Sequence, residues 1–245
     1  MFEATMITKE KMNSLKKTAR VAGLLYLIFI VLALLGGFLY SSLIVPGDAA
    51  ETANNIMANE WQFRSSFVIN LIYQTCFIFL AWALYVLLKP VNKNLALLFV
   101  LCTLVAVAVH FINLLIQYAA IELLSGASYL TVFESDQLYA QAMLFLNLHN
   151  HGILVAQIFW GLWLLPLGYL VYKSGYFRFS RILGILLMIG CFGYLIDFFQ
   201  YFLFPSYEVI TYPGLAVATI AEFSLCGWLL LKGVRVQQPA TREAS

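Results

Sequence analysis

Residues 95–123 read LALLFVLCTLVAVAVHFINLLIQYAAIEL. One acidic residue, Glu122, stands at the far end, and neither Gly nor Pro interrupts the run. A helix crosses the hydrocarbon core in roughly 20 residues, so this stretch spans it with turns to spare. Its strongly polar residues are not scattered. His110, Asn113 and Gln117 recur at i, i+3 and i+7, which puts them on one face of an α-helix. The run therefore reads as a membrane-spanning helix with a side that must meet something other than lipid.

Five further runs share this character, at about 21–44, 65–88, 139–172, 182–204 and 213–231. The expected fold is all-α: a polytopic membrane bundle of six transmembrane helices over 21–234. A basic tail at 1–20 precedes it and a second tail at 235–245 follows. Composition agrees, with 62% hydrophobic and 11% charged residues and a mean hydropathy of +0.87. Soluble domains are about half apolar and a quarter charged. A soluble enzyme, a nucleic-acid binder and a disordered chain are excluded. The third and fourth runs exceed the bilayer core and must tilt, kink or project; Gly161, Pro166 and Gly168 give the fourth places to bend. The first run follows five cations, as in a signal peptide, but is too long for an h-region and reads as a retained helix. Cys76, Cys102, Cys191 and Cys226 all lie within apolar runs and read as packing residues.

The cations set an orientation. Lys9, Lys11, Lys16, Lys17 and Arg20 precede the first span; Lys89 and Lys93 lie between the second and third. Lys173, Arg178 and Arg181 lie between the fourth and fifth, and Lys232, Arg235 and Arg242 follow the sixth. Only Arg64 of the fourteen falls on the opposite side. The positive-inside bias makes the crowded side cytoplasmic, with both termini there. The expected location is a bacterial plasma membrane. In the first outer loop, Asp48 can cap a short helix, with Glu51 completing a capping box. Ala50, Ala53, Met57 and Trp61 would form the apolar face of an amphipathic helix, with Trp61 at headgroup level. The alternative is a cap over the bundle. A short internal repeat pairs Arg20-Val21-Ala22-Gly23-Leu24-Leu25 with Arg181-Ile182-Leu183-Gly184-Ile185-Leu186.

The loop Val45-Pro46-Gly47-Asp48-Ala49-Ala50-Glu51-Thr52-Ala53-Asn54-Asn55-Ile56, with Asn59-Glu60-Trp61-Gln62-Phe63-Arg64, carries a resemblance. So do Leu88-Lys89-Pro90-Val91-Asn92, Tyr172-Lys173-Ser174-Gly175-Tyr176 and Gly193-Tyr194-Leu195-Ile196-Asp197. These stretches resemble the bacterial membrane proteins grouped as domain of unknown function 4386. The resemblance runs from about Arg20 to Val234. It implies a bacterial plasma-membrane protein of this size and brings no activity, cofactor or catalytic residue.

Polar residues inside spans are costly, face the bundle interior and often mark function. The second span carries Asn70 and Gln74, and the fourth carries Asn147, Asn150 and His151 on one arc. The fifth carries Asp197 and Gln200, with Tyr194 and Tyr201 beside them, and the sixth carries Glu222. Counting from the span ends places Asn70, Gln74, Asp197 and Glu222 roughly 9–15 Å below the outer surface, and His110 and His151 join that layer if the hairpin of the third and fourth spans projects by a turn or two. Arg64 stands at the mouth, where it could attract an anionic headgroup. His149 is expected to face away from the cluster, because it is about 200° from His151 on a regular helix. Asp197 and Glu222 have no intramembrane cation nearby and are not expected to be charged together.

Three functions follow. The leading one is a polar pocket in the outer half of the bilayer that binds a small molecule, lipid headgroup or cation, with transport as one version. Its residues are Arg64, Asn70, Gln74, His110, Asn113, Gln117, Asn150, His151, Asp197, Gln200 and Glu222. A second is an intramembrane hydrolase using His110, His151, Asp197 and Glu222 on a metal-bound water. No H-E-x-x-H, G-x-S-x-G, P-loop or dinucleotide motif supports an enzyme, so no metal, cofactor or nucleic-acid partner is expected beyond the lipid bilayer. A third is a structural or regulatory subunit in which the polar groups only join helices. Gly36, Gly37, Gly190 and Gly193 permit close helix contacts within a chain or between chains, and the oligomeric state stays open.

Overall fold

Chain breakers and caps divide the apolar runs into helices. The computed structural model describes residues 2–176 and 179–234, with side chains from Asn13 onward. It contains α1 (Phe2–Ser41), α2 (Ala49–Ala58), α3 (Glu60–Leu88), α4 (Lys93–Leu123), α5 (Ser135–Ser174), α6 (Ser180–Leu203) and α7 (Tyr212–Leu231). Short 3-10 turns occupy Ser128–Leu130 and Pro205–Ile210. All but α2 are long and apolar enough to cross a membrane. Arg178 and the 235–245 tail lie outside the described residues, as do the side chains of Lys9 and Lys11.

The basic segment expected as a surface tail is instead continuous with the first span, since α1 begins at Phe2. It has neither Gly nor Pro, and Lys, Glu, Met and Arg are good helix formers. Asn92 caps α4, accepting the Leu95 amide at 3.1 Å. Gly175 and Gly233, with φ of +62° and +61°, follow the ends of α5 and α7 in the left-handed conformation that stops a helix. Pro166 lies within α5, and the helix continues through it.

Contacts gather the described residues into two compact units. The first takes residues up to Tyr26, Leu80–Cys102 and everything from Trp160 onward. The second takes Leu27–Phe79 and Thr103–Phe159. Helices α1, α3, α4 and α5 therefore contribute to both.

Within the first unit, α6 and α7 meet through small residues. A Cβ on Gly193 would strike the backbone of Gly214, and one on Gly190 would press on Ala218. Gly168 of α5 and Gly184 of α6 meet in the same way. Trp163, Leu164, Leu187, Leu225 and Leu229 are fully or almost fully buried in this unit.

The second unit has an apolar core of Leu43, Ile56, Phe63, Ala120, Ile121, Ala142 and Leu146. Helix α2 starts where Asp48 accepts the Glu51 amide at 2.8 Å. Thr52 anchors the helix to the preceding turn, its hydroxyl accepting from Val45 N at 2.9 Å. The buried face of α2 is Thr52, Ala53 and Ile56, which seat it on the core. Met57 and Trp61 were expected to share a face with Ala53; they are exposed. The helix thus docks through one face and shows Ala50 and Met57 outward, while Trp61 falls in the first turn of α3 and is exposed there.

Large apolar side chains are exposed on all six long helices, among them Phe38, Phe79, Leu115, Leu144, Phe192 and Ile220. Exposed patches of that extent mark a surface meant for another apolar medium. Many polar side chains of the same helices, among them Gln74, His110, Asn113, Gln117, His149 and Gln200, are buried instead, an inversion that suits a helix bundle in lipid.

Candidate functional site

In the second unit, the polar faces of α3 and α4 meet in antiparallel register. Gln117 donates through Nε2 to Ser66 Oγ at 3.1 Å, and the Ser66 hydroxyl donates to the Phe63 carbonyl at 2.7 Å. Eight residues further along α3, at about 1.5 Å per residue, comes Gln74. Between them, Asn70 Nδ2 donates to the Ser66 carbonyl at 2.8 Å. That bond orients the amide, so Asn70 Oδ1 faces His110 Nε2 at 3.3 Å. The Tyr73 hydroxyl lies 3.4 Å from the same nitrogen. An amide oxygen only accepts, so this arrangement places the hydrogen of a neutral His110 on Nε2.

Helix α5 joins at the next layer. Asn113 Nδ2 donates to the His149 carbonyl at 2.9 Å, and His149 Nδ1 donates to the Asn113 carbonyl at 3.2 Å. Tyr40 packs its ring against His149, with centroids 5.3 Å apart.

This overturns the expected facing of α5. His149 is buried and bonded; Asn147 and Asn150 are exposed and His151 is half-buried. The Asn150 side chain accepts instead from the Tyr40 hydroxyl at 3.2 Å. The stripe Ala142, Leu146, His149 and Ala156 is what α5 buries, and its spacing is readable in the sequence. Grouping residues by polarity alone selected the wrong arc. Gln157, buried in the same unit, was also missed, as were Tyr73 and Ser66.

Among the described residues, several buried amide atoms of this network have no hydrogen-bond partner. They are both Oε1 and Nε2 of Gln74, Oδ1 of Asn113 and Oε1 of Gln117. Gln74 and Gln117 are fully buried. An unsatisfied buried polar group costs about 1–3 kcal/mol, so four such atoms on facing helices are a large unmet demand.

Arg64 is engaged locally. It forms a 2.6 Å ion pair with Glu60 one turn away, and its NH1 donates to the Tyr118 hydroxyl at 3.3 Å. It lines a shallow groove with Glu60, Ile56, Met57, Ile121, Leu124 and Ser125.

In the first unit, Glu222 of α7 is held by tyrosines. The Tyr26 hydroxyl donates to Oε2 at 2.8 Å, and that of Tyr194 to Oε1 at 3.1 Å. Tyr26 was not among the expected residues; as an aromatic inside an apolar run it gave no polar signal. Asp197 is half-buried one turn from Tyr194. Gln200 is buried, and its Nε2 closes the end of α6 on the Phe204 carbonyl at 2.9 Å. Among the described residues, no three of His, Cys, Asp and Glu converge as metal ligands.

Six membrane-length helices, lipid-facing apolar surfaces and buried polar layers define a multi-pass helical membrane protein. The chain belongs to the family described as Domain of unknown function (DUF4386), whose model matches residues 21–233. It is also similar to an "Uncharacterized protein" of Archaeoglobus fulgidus, 32% identical over 158 residues, which is 64% of this chain and 77% of that one. No solved structure matches.

Proposed function

We propose that this protein binds a small hydrogen-bond-donating solute, a neutral polar molecule or a small cation, in the α3–α4 polar layer of the second unit. It does so from a bacterial plasma membrane with both termini in the cytoplasm. The observation that carries the reading is the set of unpartnered amide atoms on Gln74, Asn113 and Gln117. Their orientation is fixed where it matters. Asn113 Nδ2 and Gln117 Nε2 are committed to His149 and Ser66, so each leaves an oxygen to accept. With Gln74, the layer offers three acceptors and one donor. No Lys or Arg belongs to it. A ligand that donates is therefore favoured over an anionic headgroup, which would bring more acceptors to a layer short of donors. His110, Asn70 and Tyr73 wall the layer, with His151, Asn150 and Arg64 as outlying candidates.

The test uses Gln74, neither of whose amide atoms finds a well-aligned hydrogen-bond partner among the described residues. Gln74→Met keeps the length and removes both unpaired atoms. It should raise the melting temperature of the empty protein in lipid nanodiscs. Against a panel of polyols, amides, alkali cations and primary amines, the wild type should be stabilised by a donor-bearing solute and the variant should not. A panel that moves neither protein, with Gln74→Met lowering stability, sinks the reading in favour of amides that only join helices.

A further inference from the structure

Glu222 lies in a span, and the groups around it carry no cation. Tyr26 faces it from α1 and Tyr194 from α6. Asp197, one turn along α6, acts electrostatically on the Tyr194 hydroxyl. Cys226, one turn along α7, gives its thiol hydrogen to the Gly23 carbonyl at 3.7 Å. From α5 comes Trp163, set edge-on to Tyr26 with centroids 6.2 Å apart. From α4 comes Phe99, packed against Trp163. Two phenols thus hold this acid, with a thiol and a second carboxyl one turn away along α7 and α6 and aromatic rings packed behind Tyr26.

A carboxyl in such a place needs a counter-charge or a proton. Packing argues for the proton. Tyr26, Trp163 and Phe99 are almost completely buried, and a Cβ on Gly161 would already press on Tyr194 and the Cys191 carbonyl. Each carboxyl oxygen already accepts from one phenol, so an organic ammonium would have to share those oxygens with the tyrosines in a tightly packed space. A proton needs no room. Glu222 itself is half-buried.

We propose that Glu222 is an exchangeable proton-binding site whose occupancy decides how α7 is hydrogen-bonded to α1 and α6. When the carboxyl is charged it accepts from both tyrosines. A proton arriving from solvent bonds to one oxygen and turns that oxygen into a donor. That oxygen becomes a weaker acceptor, so the tyrosine facing it rotates its hydroxyl to accept, keeps a weakened bond or lets go. Tyr26 ties α1 and Tyr194 ties α6, so proton uptake re-sorts one of two helix contacts. Release of the proton to solvent restores both bonds.

Infrared difference spectroscopy on the reconstituted protein tests this. The wild type should show a protonated-carboxyl band that fades as pH rises, and Glu222→Gln should abolish that component. Asp197→Asn should leave it in place. Tyr26→Phe and Tyr194→Phe each remove one hydrogen-bond partner and should shift the band's frequency and titration midpoint. Those two variants keep the carboxyl and carry the assignment if Glu222→Gln does not fold. The proposal is overturned if no pH-dependent carboxyl component responds to these changes while the protein stays folded. It is equally overturned by a carboxyl signal that follows sodium concentration and ignores pH.

Discussion

Gly152 has no side chain where Asn113 needs space. A Cβ placed there would overlap the Asn113 carboxamide, and that carboxamide is bonded to the His149 carbonyl. Gly152→Ala should therefore destabilise the protein by about 1–3 kcal/mol, the usual cost of overpacking, read as a lower unfolding temperature in detergent. Asn113→Ala costs stability on its own, through the lost bond to His149. Combined with Gly152→Ala it should remove the clash, so the double variant should be less impaired than the two single effects added together. Strict additivity would mean that the two residues do not compete for one space. The same residues show what was legible at this scale. His110, Asn113 and Gln117 announced a shared face by spacing, and all three are buried. His149 did not, because its neighbours Asn147, Asn150 and His151 drew the reading to their own arc. Tyr26 and Tyr73 were invisible for another reason: a tyrosine in an apolar run reads as packing until its hydroxyl partner is known.

At the scale of elements, the helices of the first unit approach where side chains are absent. The internal repeat gains a physical meaning there. Gly23 and Gly184 hold equivalent positions in it, and each is a point of backbone approach. Gly23 abuts Leu229 and Leu230 of α7, and Gly184 abuts Gly168 and Tyr172 of α5. Gly193 faces Gly214 in the same manner, while a Cβ on Gly37 would meet nothing within 4 Å. The sequence offered Gly37 and Gly193 as equal contact candidates; the contact geometry separates them. Gly193→Ala should push α6 from α7 and lower thermal stability. Gly37→Ala should be neutral or stabilising, by up to about 1 kcal/mol, because alanine restricts the unfolded chain and favours the helix. Equal effects from the two changes, in parallel unfolding curves, would show that α6 and α7 do not depend on that approach. The face of α2 was misread for a related reason. Periodicity alone cannot tell a face that docks on protein from one that meets lipid when both are apolar. Thr52, with its two bonds to Val45, marks the docked side.

At the scale of the whole molecule, the spans were legible because length in the bilayer is a blunt constraint. Roughly 20 apolar residues are required whatever their order; each of the six expected spans coincides with one helix that meets this requirement, with 21–44 and 182–204 running past Ser41 and Leu203 by three residues and one. The polar layers were legible only as helix faces, since their partners lie far away in sequence. Orientation rests on a different signal, the placement of cations, and makes the last prediction. If the six spans alternate across the membrane, Lys89, Lys93, Lys173, Arg181 and Lys232 fall on the same side as Lys16, Lys17 and Arg20. Arg64, the exception, is paired with Glu60, so it does little to oppose the bias. Moving the cation-rich ends across the membrane during insertion would be costly, and the positive-inside rule follows from that asymmetry. A cysteine placed at Glu51, exposed on α2, should react with an impermeant maleimide applied to intact cells. One placed at Lys93 should react only after the membrane is opened. Native Cys76, Cys191 and Cys226 are buried and, with Cys102, lie inside spans, so they should contribute little background. Labelling of both positions from outside, or of Lys93→Cys alone, would reverse or break the six-span arrangement with cytoplasmic termini.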